Sequence, residues 1–190
     1  IIGYECSGIV AEIGAGVTGW RVGDPACALV SSGAYASLVA VPAAQILPIP
    51  AGIDLTEAAA LPEAACTVWS NVLDLGALKA GESLLVHGGA GGIGSFAIQA
   101  AKAIGARVIT TAGSDEKVQI CRGLGADLAI NYRTGDVDAE IRHFAPHGVN
   151  VWWETLREPN FERSISLLTP RGRMVVMAGR EARPVFPVGP

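Results

Sequence analysis

The chain has 190 residues, of which 50% are hydrophobic and 17% are charged, and its formal net charge is −4. This length can bury a substantial core, and the apolar composition is typical of an α/β protein with a buried parallel sheet rather than of a disordered chain. Because there is no run of Lys or Arg, neither a nucleic-acid-binding surface nor an anionic-membrane surface is expected.

The cysteines lie far apart in the sequence and form no C-x-x-C pair; they are Cys6, Cys27, Cys66 and Cys121. This spacing predicts neither a zinc site nor a disulfide framework, and reduced thiols in a cytoplasmic protein are expected. Glycine, proline or charge interrupts every hydrophobic stretch, so no membrane span is predicted, and no signal peptide is visible. The chain starts at Ile1 and stops at Pro190, each near a predicted strand, and we expect both ends to be truncated.

Short strands separated by glycine are predicted in the first 50 residues. The segments 7–13, 26–30 and 34–41 have the composition of strands, which is typical of a small antiparallel barrel or sandwich. Prolines then indicate a change of architecture, and we place a domain boundary near Pro50, which gives domains 1–50 and 51–190. After the boundary, Asp54 and Glu57 form a predicted capping box for a helix to Ala60. A second helix is predicted from Pro62 to about Leu75.

Strands and helices alternate through the rest of the chain. The predicted strands are 84–86, 107–111, 128–132, 149–153 and 173–178, and the predicted helices are 92–104, 114–124, 136–144 and 160–168. This order predicts right-handed crossovers and a doubly wound parallel sheet of the Rossmann type, with ligands beyond the carboxyl ends of the strands. Asp136, Asp138 and Glu140 are interpreted as the polar face and N-terminal charge of the third of these helices.

A glycine-rich segment connects the first of these strands to its helix. Gly89-Ala90-Gly91-Gly92-Ile93-Gly94 matches the pattern G-x-G-x-x-G in the required context of strand before and helix after. Glycine permits a tight turn and a close approach to a pyrophosphate, while the N–H groups of the helix N-terminus supply hydrogen-bond donors. A turn that merely connects strand to helix is the alternative, but the flanking elements favour dinucleotide binding.

Four motifs in this order resemble those of the medium-chain dehydrogenase/reductases: residues 3–10, Val22-Gly23-Asp24, the glycine-rich segment and residues 130–133. The zinc-independent quinone oxidoreductase (zeta-crystallin) branch is the most similar, and the resemblance covers nearly the whole chain. It implies that residues 1–50 are part of a GroES-like β-barrel catalytic domain and that residues 51–190 are an NADP-binding Rossmann domain. The family's first segment and its C-terminal return to the barrel would then be missing.

The resemblance also indicates an enzyme without zinc. Zinc-using relatives carry Gly-His-Glu where this chain has Gly3-Tyr4-Glu5, and a cysteine ligand at about the position of Glu63. Cys66, one turn further on, is expected to pack as a small apolar residue. The connection that holds the structural-zinc lobe is reduced to residues 28–33. Without a Lewis acid, conjugated acceptors such as quinones or enones fit better than alcohols or simple carbonyls.

The residues after the second strand bear on the choice between NADH and NADPH. NAD-specific folds end this strand with Asp or Glu, whereas this chain continues into Gly113-Ser114 without an acidic residue. In the quinone oxidoreductase branch a glycine, a lysine and a tyrosine bind the 2′-phosphate of NADP, and the matching residues are Gly113, Lys117 and Tyr132. The alternatives are a solvated Lys117 and a Tyr132 that closes the sheet edge. The missing acidic residue favours NADPH.

Four other positions bear on the site. Thr155, after the fourth strand, is expected to touch the cofactor, and Gly179 is expected to let the chain pass close to the nicotinamide. His87 is expected to be structural, with its ring hydrogen-bonded to the backbone. The adjacent residues Trp152-Trp153 are expected to pack on opposite faces of their strand. No side chain is identified as a general acid, and neither a catalytic residue nor a metal ligand is assigned.

The resemblance therefore implies NADPH-dependent hydride transfer to a quinone. An enone or enoyl reductase of the same superfamily is one alternative, and a non-catalytic structural or RNA-binding protein of the zeta-crystallin type is another. A third is a fragment that binds the cofactor but is inactive because its barrel is incomplete. The family is often dimeric, and residues 174–178 and 184–188 are expected at the edge of a homodimer.

Overall fold

The computed structural model describes residues 2–177, and the chain divides into two compact units after Cys66. Residues 51–66 therefore cluster with the β-rich first unit. The domain boundary near Pro50 stays a prediction from the sequence.

The first unit contains an antiparallel sheet with the order β1-β2-β3, formed by β1 (Glu5–Ile9), β2 (Pro25–Leu29) and β3 (Ile46–Pro48). The central strand β2 carries the buried residues 26–28, as expected for a strand with neighbours on both sides. Helix α1 (Leu55–Ala58) follows, and its predicted capping box is confirmed. Asp54 Oδ1 accepts a hydrogen bond from Glu57 N at 2.8 Å, and Glu57 Oε2 accepts one from Asp54 N at 3.3 Å.

Two expectations about this unit are wrong. The predicted strand at 34–41 is irregular, with Tyr35 79% exposed and Leu38 76% exposed. A strand needs a partner along its length, and within residues 2–177 the ladder of the β1-β2-β3 sheet does not include this segment. Cys66 is exposed rather than packed as a small apolar residue, because it lies on the side of α2 (Pro62–Val68) away from the buried Ala64 and Val68.

The second unit is a five-stranded parallel sheet with the order β6-β5-β4-β7-β8, which confirms the predicted Rossmann architecture. Its strands are β4 (Ser83–His87), β5 (Arg107–Ala112), β6 (Leu128–Asn131), β7 (Val149–Glu154) and β8 (Leu168–Val176). Its helices are α3 (Gly92–Ala103), α4 (Asp115–Gly123), α5 (Val137–Phe144) and α6 (Phe161–Ser166). The strand order reverses between β4 and β7, so a ligand is expected beyond the carboxyl ends of these strands.

The predicted helix from Pro62 to Leu75 is not a single α-helix. It ends as α2 at Val68 and continues as a π-helix over Trp69–Leu75. The wider turn is visible in the hydrogen bond from Gly76 N to Asn71 O, which spans five residues, at 2.9 Å.

Helices cover both faces of the parallel sheet. One core cluster joins Leu84, Val86 and Trp153 to α3 and α4, and the other joins Leu85 and Trp152 to α5. Both tryptophans of β7 are fully buried, one in each cluster, which confirms that they pack on opposite faces.

Candidate functional site

The glycine-rich turn folds back onto the end of the neighbouring strand. Gly88 has a φ of 69°, and the N–H groups of Gly88 and Gly89 donate to Thr111 O at 3.0 and 3.1 Å. Gly91 N donates to Gly88 O at 2.9 Å and caps α3 without a side chain. The first N–H groups of a helix have no partner within the helix, so the N-terminus of α3 presents donors and partial positive charge at the switch point of the sheet.

The glycines of the turn serve two different purposes. A Cβ on Gly94 would lie 2.3 Å from Gly88 O, and a Cβ on Gly89 would lie 2.3 Å from Thr110 Oγ1, so neither position has room for a side chain. Among the described residues, a Cβ on Gly92 would meet nothing within 4 Å, and one on Gly91 would meet only Gly88 O at 3.3 Å. At these positions the absence of a side chain keeps the backbone bare. The first pair therefore shapes the turn, and the second pair leaves an open cradle of a kind that fits a pyrophosphate.

Two of the residues expected around a 2′-phosphate, Gly113 and Tyr132, lie side by side after β5 and β6. Gly113 follows β5 and Tyr132 follows β6, and the Tyr132 hydroxyl would be only 2.7 Å from a Cβ on Gly113. Ser114 caps α4, since its Oγ accepts a hydrogen bond from Lys117 N at 3.3 Å. The exposed Lys117 lies in the first turn of α4, and within residues 2–177 its ammonium has no carboxylate partner.

Two carboxylates, those of Asp115 and Glu116, lie next to Lys117 in the sequence. Asp115 Oδ1 accepts a hydrogen bond from Asn131 Nδ2 at 2.7 Å, which holds it towards the end of β6. A hydrogen bond from the Ser114 hydroxyl lowers the pKa of Glu116, so this carboxylate remains charged at neutral pH. Lys117 is therefore flanked by two negative charges. This agrees with the alternative that Lys117 is an ordinary solvated lysine.

A cleft of about 710 Å³ lies at the carboxyl ends of the strands, and its lining includes His87, Thr111, Tyr132 and Thr155. These residues stand at the ends of β4, β5, β6 and β7, respectively. The structure thus brings Thr155 into the same cleft as Tyr132, although 23 positions of sequence separate them.

His87 lines this cleft and makes a side-chain contact that was not predicted from the sequence. Its Nδ1 lies 3.0 Å from the Thr111 hydroxyl, so the expected hydrogen bond to the backbone is replaced by one to a side chain. The ring packs edge-on against Trp152, with centroids 5.6 Å apart. Burial lowers the pKa of His87; the charge of Glu154 opposes this shift, and that of Arg163 adds to it. The imidazole is therefore neutral at pH 7.

The ion pair in the cleft wall was not predicted from the sequence. Nε and Nη2 of Arg163 lie 2.6 and 2.5 Å from Asp138 Oδ1, and both side chains line the cleft. Asp138 was predicted only as part of a polar helix face. The pair joins α5 to α6, and no local pattern could reveal it because the partners are 25 residues apart.

A buried carboxylate supports the loop that carries Thr155. Glu154, at the end of β7, is 1% exposed, and its oxygens accept hydrogen bonds from Leu156 N at 3.0 Å and Trp152 Nε1 at 3.2 Å. The Ser164 hydroxyl lies 3.3 Å away and shares its hydrogen with Asn160 O, which is 3.0 Å from it. A buried carboxylate with three donors is well satisfied, and it fixes the start of the β7–α6 connection.

Several sequence expectations lie partly or wholly outside this description. Gly179, residue 178 of the predicted strand 173–178 and residues 184–188 of the predicted dimer edge lie outside the described residues. Within residues 2–177, no group of three or more His, Cys, Asp or Glu side chains is arranged to hold a metal ion. The same part of the chain has no helix that is both long and apolar enough to span a membrane.

Comparison with known proteins links both units to one kind of enzyme. Residues 92–190 match the family described as zinc-binding dehydrogenase, and residues 1–51 match the alcohol dehydrogenase GroES-like domain. A probable quinone oxidoreductase of Leishmania amazonensis is 33% identical over 177 residues, which are 92% of this chain and 51% of that protein. The chain spans about half or less of the length of the curated relatives it matches.

Solved structures are similar to this chain both in sequence and in fold. The Escherichia coli quinone oxidoreductase, solved in complex with NADPH, is 34% identical with a TM-score of 0.81, over 91% of this chain and 54% of that one. CurK enoyl reductase is 31% identical with a TM-score of 0.86, over 95% of this chain and 54% of that one. The chain belongs to the medium-chain dehydrogenase/reductases, in the quinone oxidoreductase family that its motifs indicated.

Proposed function

We propose that this chain is the nucleotide-binding part of an NADPH-dependent oxidoreductase that reduces a quinone or a related conjugated carbonyl compound. The observation that carries the proposal is the open cradle at the switch point, where Gly91 and Gly92 leave the N-terminus of α3 bare. Pyrophosphate is the group that such a cradle suits, because backbone donors and the helix dipole both favour a dianion at this position.

The end of β5 supports NADPH over NADH. The strand ends at Ala112, and Gly113 and Ser114 follow, so no carboxylate projects directly from the strand end towards the 2′ position of the ribose. Lys117 supplies a cation in the first turn of α4, and the Tyr132 hydroxyl lies over Gly113. The complex of the Escherichia coli relative is with NADPH, which supports the same choice.

The residues of the chain bind and orient, and the cofactor supplies the reactive hydride at its nicotinamide. The N–H groups at the start of α3 hold the phosphates, and the loop fixed by Glu154 presents Thr155 to the cleft. Orientation of two reactants in a site that excludes water accounts for much of the rate enhancement in reactions of this kind. Because Tyr4 and Glu63 stand where zinc-using relatives carry ligands, an acceptor already activated by conjugation suits the site.

Cofactor titration tests the choice of NADPH. We expect the wild-type chain to bind NADPH about 10-fold more tightly than NADH, a difference of about 1.4 kcal/mol. Lys117→Ala should lose most of this preference by weakening NADPH binding alone. Arg122→Ala, in the last turn of the same helix, should keep it. Equal affinities of the wild type for the two cofactors would contradict the proposed phosphate site.

An enone or enoyl reductase is the second candidate, because CurK enoyl reductase is among the similar structures. Turnover of NADPH by the full-length protein with a quinone and with an enone, side by side, separates the two candidates. Reduction of the enone alone would favour the second, and reduction of neither would remove both. The homodimer and the cytoplasmic location remain proposals from the family resemblance.

A further inference from the structure

One buried polar atom in the cleft has no partner. His87 Nε2 exposes less than 1 Å² to solvent and makes no hydrogen bond within residues 2–177. His87 as a whole is 9% exposed and lines the cleft. A buried donor or acceptor left unsatisfied destabilises the folded state, so such an atom needs an explanation.

The hydrogen bond on the other side of the ring indicates which nitrogen carries the proton. If Nδ1–H donated to Thr111, the buried Thr111 hydroxyl hydrogen would lack an acceptor and Nε2 would lack a donor. If the Thr111 hydroxyl instead donates to Nδ1 across the 3.0 Å contact, only Nε2–H is left without a partner. The second arrangement leaves fewer groups unsatisfied, so it places the imidazole proton on Nε2.

The surroundings of this N–H within the described part of the chain offer it no acceptor. Trp152, which packs against the ring, uses its Nε1–H as a donor to Glu154 and has no lone pair to give. Glu154 already has three donors within hydrogen-bond distance, and of the two carboxylates that line the cleft, Asp138 is paired with Arg163 and Asp136 accepts from Ala139 N. A ligand in the cleft that His87 lines is therefore the remaining source of an acceptor, and it reaches Nε2 once the side chains that cover this atom shift.

We infer that His87 Nε2–H donates a hydrogen bond to the adenosine half of the bound dinucleotide, to a ring nitrogen of the base or an oxygen of its ribose. The end of the second strand is where dinucleotide-binding folds hold the adenosine ribose, and Thr111, the partner of His87, stands at that end. The inference rests on the proposed binding of a dinucleotide and adds a residue that selects for its adenosine half.

The charges around the ring are consistent with a neutral donor. Glu154 on β7 and Arg163 on α6 act on the imidazole in opposite directions, and Asp138 on α5 balances Arg163. Burial lowers the pKa of His87, so the ring keeps one proton at neutral pH and Thr111 can remain its donor on the other side.

A pair of substitutions separates the two sides of the ring. The amide of Asn reaches about as far as Nδ1 of His, and the amide of Gln reaches about as far as Nε2. His87→Asn should therefore keep the contact to Thr111 and lose the donor to the ligand, whereas His87→Gln should keep the donor. We expect ADP-ribose and NADPH to bind about 5- to 30-fold more weakly to His87→Asn, and to His87→Gln within about 3-fold of the wild type.

A second measurement does not depend on the folding of any variant. In the wild-type chain with ¹⁵N-labelled histidine, the protonated Nε2 resonance of His87 should shift when ADP-ribose is added and should stay in place with nicotinamide mononucleotide. An unmoved resonance with ADP-ribose bound, a resonance that moves only with the mononucleotide, or equal affinities of wild type and His87→Asn would overturn the inference while leaving dinucleotide binding intact. A wild-type chain that binds neither NADPH nor NADH would overturn the proposed function as well.

Discussion

Gly94→Ala probes the turn at its tightest point. A Cβ at this position would lie 2.3 Å from Gly88 O and 2.7 Å from Gly89 Cα, both atoms of the backbone. To reach even 3.0 Å, below which real Cβ contacts are essentially never found, the helix and the turn would have to separate by 0.7 Å. Overpacking of this kind typically costs 1–3 kcal/mol, so the free energy of unfolding should fall by about 2 kcal/mol. Because the shift opens the cradle, the affinity for NADPH should fall with it.

Gly123→Ala is the matched control. This residue also lies in a helix, at the end of α4, and a Cβ there would meet no atom of residues 2–177 within 4 Å. Since Ala is the better helix former, the control should gain up to about 1 kcal/mol and leave binding unchanged. Urea denaturation gives the stabilities, and fluorescence titration with NADPH gives the affinities. The reasoning would be refuted if Gly94→Ala unfolded at the same urea concentration as the wild type and bound NADPH equally well.

Two further predictions concern the framework around the cleft. Trp152→Phe removes the Nε1–H donor from the buried Glu154, whereas Trp153→Phe removes an N–H that has no partner within residues 2–177. Both lose the same volume, so urea denaturation should find Trp152→Phe less stable by about 1–3 kcal/mol, and equal losses would contradict the assigned network. For Asp127, burial raises the pKa, but the Val108 N–H and Lys102 outweigh it and the pKa falls below its ordinary 3.8. Its contribution is therefore present above about pH 3.8 and is lost as the pH falls through the folded-state pKa. The stability gap to Asp127→Asn should be on the order of 1 kcal/mol at pH 7 and should shrink below pH 4; a constant gap would contradict this assignment.

Local patterns predicted much of this protein correctly. The alternation of strands and helices gave the parallel sheet, with most element boundaries within two residues, because each strand and helix carries its own periodicity and capping residues. The same holds for the capping box at Asp54 and for the two tryptophans of β7, whose opposite faces follow from the geometry of any strand.

Segments whose structure depends on a distant neighbour were not predictable in this way. Residues 34–41 have the composition of a strand, but a strand forms only where a partner runs beside it. The π-helix at Trp69–Leu75 begins where the sequence pattern still indicates an α-helix. The exposure of Cys66 depends on which face of α2 is covered, and spacing within the helix does not reveal that face.

The candidate site shows the same contrast between features that depend on local sequence and features that depend on distant neighbours. The sequence by itself determined the glycine-rich turn, the uncharged residues after β5 and the family of the chain, because these depend on backbone freedom and residue type at adjacent positions. Only the tertiary structure decided that His87 pairs with Thr111, that Asp138 pairs with Arg163 and that Glu154 anchors the loop of Thr155. Two of these contacts join elements more than 20 residues apart, and the third depends on how the chain turns at the end of β7. The packing of α5 and α6 against one face of the sheet creates the wall of the cleft.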